Sequence, residues 1–250
     1  MERDIGPLHL WVRREGDEWH VASEREPSDV VSPGESGSAA AASRSSEGQD
    51  WRRWVVGDQT SMLLLKPAMP DRPVVVRPEH PVRLPSMQRA TFYVSIPIWV
   101  QVTVGDGRVV LCEEPTLLLS NIWFGDYAAG ELCYSLKTRA RRNVDAQGDR
   151  PARVLCPVNV MNSSKTELNF LRLCIRVGHL RILNRNDRLW TPHVNVTFRG
   201  EDEASRIDYG TGTPEQTAQD VGTLLAEPRS PLESSILQRS FRNLRIFNVG

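Results

Sequence analysis

Lys137, Arg139 and Arg141 alternate, so on a β-strand their side chains share one face, and Arg172 and Arg176 repeat that arrangement further along. Guanidinium groups suit phosphate and carboxylate, so these five residues form a candidate anion site. The plainer reading is a solvated or internally paired strand edge, where basic residues also discourage aggregation. Ahead of them, Trp123, Phe124 and Tyr127 crowd around Gly125-Asp126, and Glu131 follows Gly130. With Trp99 these rings could stack on a ligand, and Asp126 with Glu131 would supply carboxylates; a buried aromatic core is the alternative. Glu113 and Glu114 are adjacent, so they point to opposite faces of a strand and do not suit a paired-carboxylate reaction.

His9, His20, His80, His179 and His193 show no metal-ligand spacing, although His179 and His193 could approach across paired strands with Asp187 between them. Tyr209-Gly-Thr-Gly-Thr-Pro214 leads into an expected helix start, where free N–H groups would accept a phosphate. It lacks the P-loop lysine, and Glu201, Asp202, Glu203 and Asp208 would repel an anion, so a capping turn is preferred. Cys112, Cys133, Cys156 and Cys174 stand far apart within apolar runs, which reads as buried free thiols and no metal site. Ser120 and Ser135 have no recognisable base, and no cofactor motif is present.

The elements that must carry these residues are β-strands. Phe92, Val94, Ile96, Ile98, Val100, Val102 and Val104 alternate without interruption, predicting one long strand over 91–104 with a bulge or edge at Pro97. Gly105-Asp106-Gly107 then turns the chain into Arg108–Cys112. Leu8–Arg14 and Glu18–Val21 flank Glu15-Gly16-Asp17 as a hairpin. Six prolines from Pro67 to Pro85 exclude helix and leave Val74–Val76 as a short strand. Leu117–Leu119 and Leu132–Leu136 make two strands joined by the aromatic corner. Arg153–Met161, Leu168–Leu183 and Trp190–Phe198 are strand-like as well.

Two helices are expected near the C-terminus. Thr213-Pro-Glu-Gln216 and Ser230-Pro-Leu-Glu233 each carry an N-cap, a first-turn proline and a capping-box residue. Ala218, Val221, Leu224 and Leu225 follow the first, and Leu232, Ile236, Leu237, Phe241 and Leu244 the second. The predicted fold is therefore mainly β: an antiparallel β-sandwich with two C-terminal amphipathic helices. Its organisation reads as an N-terminal β-hairpin over 1–22, a disordered Ser-, Ala- and Glu-rich loop over 23–50, a β-sandwich domain over 51–212, and a helical segment over 213–250 packed on it.

Thr116-Leu-Leu-Leu-Ser-Asn-Ile-Trp-Phe-Gly-Asp126 followed by Gly130-Glu-Leu-Cys-Tyr-Ser-Leu-Lys-Thr-Arg-Ala140 resembles a prokaryotic domain family, first noted in archaea, whose function is unknown. Val82-Arg-Leu-Pro85 and Phe92-Tyr-Val-Ser-Ile-Pro97 are similar to it too, so the likeness spans approximately residues 60 to 200. The resemblance implies no reaction, ligand or catalytic residue.

Charge is balanced overall but unevenly placed. Residues 1–50 hold 5 basic and 11 acidic side chains, residues 137–199 hold 13 and 4, and residues 200–235 hold 2 and 8. No apolar run reaches the length of a membrane-spanning helix and the N-terminus reads as no signal peptide, so a cytoplasmic location is expected. Core patterning without a catalytic set predicts a non-catalytic module that binds a protein partner, a further copy of itself or a small ligand. An enzyme with its site at Gly125–Glu131 or at His179/His193 is the alternative. Binding of a polyanion or nucleic acid through the basic 137–199 stretch is the third reading.

Overall fold

A computed structural model describes residues 1–26, 48–56, 62–78, 80–128, 130–137, 142, 151–201, 203–210, 222–230, 236–238 and 241–243. Two compact units divide the chain. The first comprises Met1–Lys66 and Trp99–Leu118, the second Pro67–Ile98 and Leu119–Gly250.

In the first unit, β1 (Glu2–Ile5), β2 (Leu8–Glu15), β3 (Glu18–Arg25) and β4 (Arg52–Val55) form one antiparallel sheet in chain order. Gly16, at φ +62°, supplies the left-handed residue that a tight β2–β3 turn needs. A second sheet runs β10 (Val109–Pro115), β9 (Trp99–Val104), β5 (Leu63–Ala68). Leu8, Leu10, Val12, Trp19 and Val21 from the first sheet share one core with Val100, Val102, Val104 and Leu111 from the second. Of the loop expected over 23–50, Ser23–Arg25 belong to β3, and 27–47 lie outside the described residues.

The second unit also stacks two sheets. One runs β11 (Ser120–Phe124), β12 (Glu131–Lys137), β6 (Val74–Arg77), β14 (Leu168–Ile175), β21 (Phe241–Asn243), with β7 (Val82–Leu84) also on β14. The other runs β19 (Thr223–Ala226), β15 (Ile182–Arg185), β16 (Arg188–Trp190), β13 (Arg153–Asn162), β17 (Val194–Phe198), β18 (Ser205–Tyr209), β20 (Ile236–Gln238), with β8 (Arg89–Pro97) on the free edge of β13. Val74, Val76, Phe170, Leu173 and Ile175 from the first meet Phe92, Val94, Val158, Val160 and Val196 from the second in one core. Each large aliphatic side chain fully buried there contributes roughly 1.5–3 kcal/mol.

Three features differ from the sequence expectation. The sheets are rich in antiparallel pairs, but β12–β6, β13–β16 and β13–β17 are parallel. The single strand expected over 91–104 is two strands, because the ladder stops at Pro97. Ile98 donates its N–H to Ala152 instead, and β9 joins the first unit's sheet. Among the described residues no helix stands where the C-terminal pair was expected. Leu224 and Leu225 lie exposed on β19; Ile236 and Leu237 belong to β20 and Phe241 to β21, while 213–221 and 231–235, at the two expected helix starts, lie outside the described residues. Sheet edges explain the reversal: β15, β18 and β14 each offer a ladder edge, and backbone pairing there replaces the helical hydrogen bonds that capping residues would start. The only short helical turn among the described residues, Val177–His179, lies inside the stretch read as strand from Leu168 to Leu183. Among the described residues no helix is long and apolar enough to cross a membrane.

Candidate ligand-binding face

The aromatic corner divides by the period-two rule. Trp123 pairs with Leu132 and Phe124 with Glu131 in the β11–β12 ladder, so Trp123 and Glu131 point to opposite faces. Trp123 donates its indole N–H to the Asp126 carbonyl at 3.1 Å and lies against Gly130, where an added Cβ would sit 2.3 Å from Nε1. Phe124 is buried, Trp123 is half exposed and Tyr127 is 97% exposed, so these three rings build no single platform; Trp99, in the first unit, is buried. Asp126 is exposed in the turn, and the Glu131 carboxylate pairs with Arg176. Lys137 stands opposite Arg77 at the end of the β12–β6 ladder, on the face that carries Arg172 of β14; Arg176 follows that strand. Arg139 and Arg141 lie outside the described residues.

The two histidines have separate surroundings. His179 places Nδ1 2.5 Å from the Ser230 carbonyl and its ring edge-on to Tyr209. His193 places Nδ1 2.6 Å from Asn159 Nδ2. Asp187 occupies the exposed β15–β16 turn at φ +57°. Other basic residues of 137–199 are also engaged, at two separate places. Arg153 donates to Ser95, while Arg185 and Arg188 lie on the Trp190 ring.

A different constellation is assembled on the outer face of the eight-stranded sheet. Asn159 pairs in register with Thr91 on one side and Asn195 on the other, and Asn195 pairs with Asp208. Their neighbours Val158, Val160, Val194, Val196 and Ile207 fill the core, so alternation turns this row of Thr91, Asn159, Asn195 and Asp208 outward across four strands. Its first three members are bonded in series: Thr91 Oγ1 donates to Asn159 Oδ1 at 2.7 Å, and Asn159 Nδ2 donates to Asn195 Oδ1 at 2.8 Å and to His193 Nδ1. Two adjoining cavities of about 540 and 570 Å³ share Asn195 and Thr197 and together run over this face. Arg89, Arg142, Arg199 and Arg206 border them, against the single carboxylate of Asp208.

Because Nδ1 of His193 accepts a hydrogen bond, its proton sits on Nε2, which is buried and has no hydrogen-bond partner among the described residues. Burial pushes this imidazole down to about 4, so the ring is neutral at physiological pH. The consequence for stability has a definite sign. Protons bind the unfolded histidine, near 6.5, before the folded one, so the contribution is full above pH 6.5 and is lost as pH falls towards 4. With the ring partly open to solvent, the loss is on the order of 2–3 kcal/mol. His193→Gln should therefore flatten the pH dependence of urea midpoints in that window; an unchanged slope would show that His193 is not held neutral.

Sequence reasoning missed this row. Its signal was the repeated tripeptide Val-Asn-Val at 158–160 and 194–196, which the fold places side by side in exact register.

A family description, Protein of unknown function (DUF432), matches residues 2–247. No curated protein matches the chain, and no solved structure does.

Proposed function

We propose that this chain, which belongs to the DUF432 family of proteins of unknown function, is a non-catalytic β-sandwich module that binds a small, hydroxylated anion of the sugar-phosphate class. The observation that carries the reading is the bonded row Thr91–Asn159–Asn195, with Asp208 beside it in register, beneath a groove bordered by four arginines. Amides and hydroxyls fixed by one another are preorganised to meet sugar hydroxyls, and guanidinium groups suit a phosphate. Asp208 is the one acidic group in the groove lining, where it would accept from a ligand hydroxyl. His193 supports binding over proton transfer, since its only basic nitrogen is already occupied and Nε2–H can only donate.

Calorimetric titration with glucose 6-phosphate, inorganic phosphate and glucose tests this. Glucose 6-phosphate should bind tightest and weaken with added salt, because the phosphate supplies the ionic part of the interaction. Arg206→Ala and Asn195→Ala should each weaken it about 10- to 100-fold, the scale of one charge-assisted hydrogen bond. Absence of heat with both phosphate compounds, or unaltered binding in both variants, would overturn the proposal.

A further inference from the structure

The opposite sheet of the second unit carries a cluster unrelated to that groove. Cys133 on β12 and Cys174 on β14 are buried on the face turned away from the main core, among Val75, Phe124 and Ile122. Their Sγ atoms lie 4.0 Å apart. Glu131 precedes Cys133 by two residues and so shares its face, with a carboxylate oxygen within 4.8 Å of both sulfurs. Arg176, two residues beyond Cys174, holds that carboxylate through Nη2.

We propose that Cys133, Cys174 and Glu131 form a binding site for a thiophilic divalent cation of the zinc type. The spacing is the first reason. Zinc–sulfur bonds of about 2.3 Å in tetrahedral geometry set two thiolates about 3.8 Å apart, so the pair needs to move only a few tenths of an ångström. A disulfide does not suit the same sulfurs, because β6 lies between β12 and β14. Two inter-strand spacings hold the backbones about 9.5 Å apart, beyond the roughly 7 Å that a disulfide spans. Charge is the second reason. Two thiolates, a carboxylate, a divalent cation and the Arg176 guanidinium sum to zero, which a buried site requires. Three protein donors leave the fourth tetrahedral position for water or a further ligand.

The two sulfurs are in S–H···S contact at 4.0 Å, and either can act as the donor. On binding, the metal ion takes the place of both thiol protons, which are released as the two thiolates form. Cys112 and Cys156 serve as internal controls, because burial drives their thiols up to about 11 and about 12 and no acidic partner accompanies Cys156.

Titration of the reduced, metal-free full chain with Co²⁺ tests the site. Stoichiometric binding should produce a thiolate-to-cobalt charge-transfer band in the near ultraviolet, abolished by one equivalent of Zn²⁺. Cys133→Ser and Cys174→Ser should remove the band, Glu131→Gln should weaken affinity about tenfold or more, and Cys156→Ser should leave it intact. If a serine variant unfolds, alkylation of the wild-type chain decides the matter: in mild urea, Zn²⁺ should protect Cys133 and Cys174 from iodoacetamide and leave Cys156 unprotected. A wild-type chain without the band, or with no selective protection, would overturn the assignment.

Discussion

Asn162→Ala should lower the unfolding free energy by about 3–4 kcal/mol, the largest single effect expected from a polar substitution in this chain. Asn162 closes β13 and is fully buried. Its amide nitrogen reaches the carbonyls of Leu84, Pro85 and Thr166 at 2.9, 3.1 and 2.8 Å. Its carbonyl accepts the Ser164 N–H at 3.0 Å and the Ser164 hydroxyl at 2.7 Å. One side chain thus fixes the turn between β13 and β14 and ties it to the end of β7. Alanine would leave several carbonyls desolvated without donors, each costing about 1–3 kcal/mol before the loop relaxes to admit water. Ser164→Ala, which strands fewer groups, should cost about 1 kcal/mol. Urea denaturation measures both, and a loss below about 1 kcal/mol for Asn162→Ala would mean the turn is held by other contacts.

Glu114→Ala should destabilise the first unit by about 3 kcal/mol. The carboxylate is buried on β10 and pairs with Arg25 on β3 and Arg52 on β4, and Ser23 donates to it at 2.9 Å. These contacts tie β3 and β4 of one sheet to β10 of the other. Removing the anion leaves two guanidinium groups facing each other without their counter-charge, and Arg25 is only 18% exposed. The effect sits at the low end for a broken buried pair because Arg52, at 42% exposed, can recover water. Glu114→Gln keeps an acceptor for Ser23 and should fall between wild type and alanine. Hydrogen exchange at β3 and β10 amides reads the unit directly; unchanged protection in Glu114→Ala would show that the apolar core alone holds the sheets together.

The strands were legible because alternation is a local signal. Val94, Ile96, Val158, Val160, Val194 and Val196 all face the core as period two requires. What alternation cannot convey is partnership. Phe92 to Val104 alternates perfectly, yet its first four apolar residues fill one core and its last three another. The helical stripes expected over Leu224–Leu225, Ile236–Leu237 and Phe241 misled for a related reason: a stripe reports what a segment does alone, whereas β14, β15 and β18 offer these segments ladder bonds. The binding face stayed hidden because its residues come from four strands, from Thr91 to Asp208, and only register aligns them. The cysteine pair was read as isolated thiols since its members stand 41 positions apart.

The handover at Ile98 has a consequence for how the protein can be made. Both units are interrupted in sequence, each completed only by chain that follows part of the other. During synthesis β5 emerges well before β9 and β10, its companions in the three-stranded sheet, and β6 to β8 appear in between. The first unit therefore cannot close until Leu118 has left the ribosome, and it waits beside strands destined for a different core. Such non-local pairing slows folding and prolongs exposure of unpaired edges. Cutting the gene at any one point cannot release either unit by itself, since a cut after Leu118 carries 67–98 along with the first unit. A stand-alone version of the first would need residues 1–66 joined to 99–118 by a short linker, and its complement would need 67–98 joined to 119–250.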